Sequence, residues 1–169
     1  MRLGEAPGLP ALDVHTGRHY ANAAAVCFED QKHLQGVELK VKGVEDRAYH
    51  LRWPVVTEQT LRTHHDLQDA TFHGAYAVAI MLAMEITGYT VVQQARKGSG
   101  VDYWLGANDS DLFVGARLEV SGILSGDEST IKSRIRQKKK QTKRSEATGL
   151  PAYACVVEFG RPEAHFVKQ

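Results

Sequence analysis

Hydrophobic positions fall along the chain in two distinct periods. Val37, Leu39 and Val41 alternate with polar neighbours over Gly36 to Val41, the spacing of a half-buried strand. Tyr49, Leu51 and Trp53 repeat that alternation up to Pro54, so the two runs suggest a hairpin turning over Gly43 to Arg47. Ala21 to Lys32 is rich in Ala and lacks Gly and Pro, which predicts a helix. A longer helix is predicted to start at a cap on Asp66 or Asp69 and to end near Thr87, with Gly88 as its C-terminal cap. The β-branched and aromatic run Tyr89 to Ala95 predicts a strand, Lys97 to Gly100 a turn, and Val101 to Leu105 a second strand. Gly106 to Asp111 has the polarity of a loop, and Phe113 to Leu124 reads as a third strand, in two parts about Gly115. A helix opening at Gly126 to Thr130 leads to the break Gly149-Leu150-Pro151. Ala152 to Phe159 follows as an apolar strand, with a short strand at Ala164 to Val167. Residues 1 to 18 read as an irregular start.

This alternation of helices and strands predicts an α/β protein with a mixed sheet. At 169 residues and 43% apolar, the chain suits one compact domain. Residues 1–66 are expected to form an extension, a helix plus the hairpin, packed on a core of residues 67–169. No apolar run reads as a membrane span and the start lacks a secretory pattern, so the expectation is a cytoplasmic protein without membrane contact. Cys27 and Cys155 lie far apart, and Cys155, inside an apolar strand, is expected to be a reduced core thiol. His64 and His65, followed by Asp66, read as part of a surface loop before a helix cap rather than as a metal site.

Charge changes the picture more than composition does. Of 21 Lys and Arg residues, eight lie between Thr130 and Arg144, where there is no acid; the remaining 13 face 20 Asp and Glu. An acidic body carrying one basic helix can attract a polyanion although the net charge is +1. A solvated helix face is the plainer explanation of such a run taken alone.

Three carboxylates stand out. Glu85 shares a helix face with Gly74, Val78, Met81 and Leu82, which points it toward the core. Asp102 opens an otherwise apolar strand and shares a face with Trp104. Arg117, Glu119 and Ser121 alternate with Leu118 and Val120, which puts the three polar residues on one strand face. Each has an ordinary explanation by itself: a rim salt bridge, a turn residue, and a strand with a solvated side.

Taken in order, a helix-borne Glu, a strand Asp, and a Glu with a polar residue two places on, then a basic helix and an apolar strand, resemble the PD-(D/E)XK nuclease superfamily. The resemblance covers Asp69 to Phe159. It implies a restriction-endonuclease-like α-β-β-β-α-β core in which Glu85, Asp102 and Glu119 hold Mg2+ or Mn2+. It also implies hydrolysis of phosphodiester bonds in DNA, or in RNA. The family's lysine falls at Ser121, which is neutral. Lys138 lies on the stripe marked by Ile131 and Ile135, in line with Arg134 and Gln141, and is the candidate replacement; Lys97 in the turn before Asp102 is a second. Lys97, Arg134, Lys138, Lys139, Gln141 and Trp104 are the expected nucleic-acid contacts, with the helix gripping backbone rather than reading sequence. The resemblance is compatible with roles in restriction, repair, recombination or phage defence, and with a homodimer or a larger protein complex. The alternative is an inactive nucleic-acid-binding or partner subunit on the same fold, if the lysine is simply lost.

Overall fold

The computed structural model describes residues 1–4, 9–107 and 113–169. Pro7 and Gly8 of the expected irregular start, and most of the expected loop at 106–111, lie outside the described residues. The elements run α1 (Val14–Asp30), β1 (Glu38–Gly43), β2 (Arg47–His50), α2 (Glu58–Thr63), α3 (Leu67–Thr87), β3 (Thr90–Gln94), β4 (Tyr103–Gly106), β5 (Val114–Ile123), α4 (Glu128–Thr142), β6 (Ala152–Glu158) and β7 (Glu163–Lys168). A 3-10 segment, Lys143–Thr148, extends α4. The strands form a seven-stranded mixed sheet in the order β2-β1-β7-β6-β5-β4-β3.

Connection length explains the pairing. β3, β4 and β5 follow one another closely in sequence and pair antiparallel. β5 and β6 pair parallel, because α4 carries the chain back across the sheet between them. β7 returns antiparallel to β6 and then accepts β1 in parallel. The β1–β2 hairpin is therefore an integral edge of the sheet, not an appendage on it. β5 is one continuous strand, with a register shift opposite Leu105 and Gly106 instead of a break at Gly115. The short α2 was not legible in the pattern: none of its residues is buried, and Thr57 caps it by accepting from the Thr60 amide.

α3 is the central helix. Asp66 caps it by accepting from the amides of Gln68 and Asp69. Gly88, at φ +70°, ends it in the left-handed conformation that glycine adopts without strain. At Gly74 an added Cβ would stand 2.8 Å from the Ala24 backbone, so a side chain there would push α1 away. Val78, Ile80 and Leu82 are fully buried, each such side chain stabilising the fold by about 1.5–3 kcal/mol. In one respect the sequence reading is corrected: α3 has the length and apolarity of a membrane span. It packs instead between α1 and the sheet, with 67% of that window buried inside the molecule.

Candidate active site

The polar face of β5 meets α4 residue by residue. Arg134 Nη1 donates to Ser121 Oγ at 2.7 Å. Lys138 Nζ stands 2.5 Å from Glu119 Oε1. Arg117 donates to the carbonyls of Leu150 and Thr142 and to Ser145 Oγ. Steps of two along β5 thus match steps of four along α4, running in opposite directions. The reason is geometric: two strand residues advance about 6.6 Å and four helical residues about 6.0 Å. Arg117, Glu119 and Ser121 are only 5%, 1% and 5% exposed, so the face expected to be solvated is buried beneath the basic helix. Ile131, fully buried, anchors the helix against Ile123 and Val156.

Asp102 arrives beside this ladder from the start of β4. Tyr103 pairs with Leu118, so one more step of the register sets Asp102 opposite Glu119. Its amide donates to the Leu118 carbonyl, and its Oδ2 accepts from the Val120 amide at 2.8 Å. From the other side, Tyr76 Oη donates to Oδ1 at 3.0 Å. The turn before it is held close to α4 by Gly100, at φ +83°, where an added Cβ would stand 2.3 Å from the Gln141 carbonyl. Any side chain there would be strained and would force the turn off the helix.

The electrostatics follow from this crowding. Burial pushes the Glu119 carboxyl up to about 7, and the neighbouring Asp102 charge adds to it against the pull of Lys138. Glu119 Oε2 is buried and has no hydrogen-bond partner among the described residues. Burial, then the adjacent Asp102, raises the Tyr76 phenol, which keeps it a donor. Two oxygen ligands side by side, one with an unused lone-pair face, suit a hard divalent ion that retains several waters.

Of the three expected acids, the structure brings Asp102 and Glu119 together and sets Glu85 apart. Glu85 is exposed and does not reach Asp102 or Glu119. The helical residue at the site is Tyr76, nine positions earlier, which places Glu85 about 13 Å further along α3 and on its opposite side. Among the described residues no group of three or more His, Cys, Asp or Glu side chains is placed to hold a metal ion. Of the two candidate lysines, Lys138 reaches Glu119 and Lys97 is exposed in its turn. Gln141 lies beside Lys138, 3.5 Å from Nζ. Lys139 and Trp104 are half-buried; Trp104 pairs with Arg117 across the ladder. Sequence reasoning missed Tyr76, whose one signal was a phenol set among the alanines of a core helix.

A second polar cluster was also not anticipated. His64 lies in the loop before the α3 cap, as expected, but its side chain is turned inward, only 4% exposed. Its ring lies 4.7 Å from that of His19, which in turn contacts His73; His73 Nδ1 is 3.3 Å from Asp69. Burial, then the neighbouring histidines, lowers His64; burial, then His73, lowers His19. His65 is exposed and Asp66 serves as the α3 cap. Cys27 and Cys155 are both buried free thiols, as expected for Cys155, and burial raises both. Comparison with protein-family models, with curated proteins and with solved structures finds no match to this chain.

Proposed function

We propose that the protein is a metal-dependent nuclease, acting on DNA by preference, built on a restriction-endonuclease-like core. The observation that carries this reading is the meeting of Lys138 with Glu119 at 2.5 Å, beside Asp102 and two residues from Ser121. A cation from α4 thus stands next to the acid pair, where the superfamily resemblance calls for a lysine and the chain has serine. The succession of α3, three antiparallel strands, α4 and a parallel β6 agrees with the core that the resemblance implies.

Asp102 and Glu119 would hold magnesium, and the buried, unpartnered Glu119 Oε2 fits that role. When bound, the ion would lower the pKa of water and stabilise the charge that builds on the phosphate. Tyr76 and the Val120 amide fix the Asp102 carboxylate in place. Lys138 supplies a mobile ammonium that can turn from Glu119 to a phosphate oxygen. The exposed Arg136, Lys140, Lys143 and Arg144 supply backbone contacts whose strength falls with salt.

The test is cleavage of labelled single- and double-stranded DNA in magnesium, in manganese and in EDTA. Cleavage is expected only with the metals, to be lost in Asp102→Asn and Glu119→Gln, and to fall by about 100-fold in Lys138→Ala. Unchanged cleavage in both acid variants would overturn the reading. A second reading draws on the same ion pair: Lys138 already neutralises Glu119, as in a subunit that binds nucleic acid without cutting it. Binding that survives EDTA in a folded protein, without cleavage under either metal, would favour it.

A further inference from the structure

Beside the acid pair lies a cavity of about 520 Å³ between the first turns of α3, the end of β5 and α4. Its walls include Gln68, Thr71 and Phe72 from α3, Ser121 and Ile123 from β5, and Arg134 from α4. Two features are unusual. Phe72 is 48% exposed, although the helix carrying it is the apolar centre of the molecule. Arg134, which uses Nη1 for Ser121 and the Gly122 carbonyl, is the one charged residue among the described residues of the lining, and no described acid accompanies it.

The cavity is continuous with the reactive groups through side-chain contact. The Phe72 ring meets Tyr76 edge to face at 4.9 Å, and Tyr76 donates to Asp102. Ser121, on its other wall, is two residues from Glu119. An occupant would therefore combine a flat apolar surface for Phe72, polar edges for the Gln68 carboxamide, and an anion for the remaining guanidinium donors of Arg134. A nucleotide with its base out of the helical stack has all three. A base still stacked in a duplex cannot enter a cavity walled on three sides. An apolar side chain of a protein partner satisfies Phe72 and leaves Arg134 unused.

We infer that this cavity binds one unstacked nucleotide of the substrate, its base against Phe72 and its phosphate at Arg134, so that single-stranded or unpaired DNA is preferred over intact duplex. The inference rests on the nucleic-acid reading of the adjacent acid pair.

The experiment is equilibrium binding of fluorescent single-stranded DNA, a fully abasic strand of equal length, and duplex, at low salt in EDTA, with cleavage in magnesium measured in parallel. Phe72→Ala is expected to weaken binding of the single strand about tenfold, the loss of one base–aromatic contact. It should leave the abasic strand unchanged, and Phe72→Trp should retain binding. Arg134→Gln is expected to weaken both strands. Equal binding by Phe72→Ala and the natural protein, equal loss on the abasic strand, or no binding of any strand would overturn the inference. The two proposals separate cleanly. Metal-dependent cleavage untouched by Phe72→Ala removes the nucleotide cavity and leaves the nuclease. Base-dependent binding by a protein that never cleaves keeps the cavity and removes the nuclease.

Discussion

The two faces of β5 are built on opposite principles. Toward α3 the strand presents Leu118 and Val120 to the main core, where shape and burial suffice. Toward α4 it presents Arg117, Glu119 and Ser121, equally buried, and each needs a specific partner from the helix. The apolar face costs nothing to desolvate and tolerates any partner of suitable volume. The polar face is held by register: a shift of the helix by one residue would strand an arginine and a carboxylate in the interior together. This contrast teaches where the molecule is robust and where it carries chemistry, since only the second face holds groups that a ligand could recruit.

Substitutions can break the comparison from either side. Leu118→Ala should have the largest effect on stability, about 3 kcal/mol, by opening a void in the main core. Denaturant unfolding would check it, and a loss below about 1 kcal/mol would mean that the α3 face is loosely packed. Lys138→Met should cost less, about 2 kcal/mol, because Glu119 loses its cation but can take up a proton. The double variant with Glu119→Gln should recover most of that loss, since no buried charge then remains. A double variant as unstable as Lys138→Met would show that the lysine acts through packing and not through the ion pair.

The smallest effect should come from the histidine cluster between α1 and α3, which contrasts with both faces of β5. His19 and His64 are lowered from their ordinary value of 6.5 by burial first. Their neighbours are His73, Asp69 and Tyr20, whose ring stacks on His73. The unfolded chain then binds more protons than the folded one, so stability increases with pH in this range. The contribution should be complete above about pH 6.5 and decline as pH falls below it. Urea midpoints at pH 7.5 and 5.5 should differ less in His64→Gln than in the natural protein. An equal difference in both would assign the acid sensitivity to other groups.

Much of the fold was legible because local rules and tertiary packing agree. The caps at Asp66 and Gly88 and the break at Gly149 appear where the pattern placed them, and the hairpin strands form within two or three residues of their expected bounds, at Glu38–Gly43 and Arg47–His50. Asp102 stood out because it opens an otherwise apolar strand, Glu119 because its place after Asp102 and before a basic helix fits the superfamily order, and the two do meet. Lys138 was legible from helical spacing alone, since it shares a stripe with the buried Ile131. Glu85 was misread because a shared apolar face shows that a residue lies on the inner half of a helix, but not what lies across from it. The end of α3 is where the helix runs out of the body, and there Glu85 reaches water.

By itself, then, the sequence determined the elements other than α2, their order and the mixed α/β class, because capping and hydrophobic period act within a few residues. It also determined that a basic helix lies on the chain between a strand with one polar face and an apolar strand. Only the tertiary structure decided which polar residues would share a site. Tyr76 meets Asp102 across 26 residues and His19 meets His73 across 54, contacts that no local period encodes. The burial of Glu119 under Lys138 depends on the crossover that lays α4 over β5. That crossover is set by the parallel pairing of β5 with β6, a property of the assembled sheet.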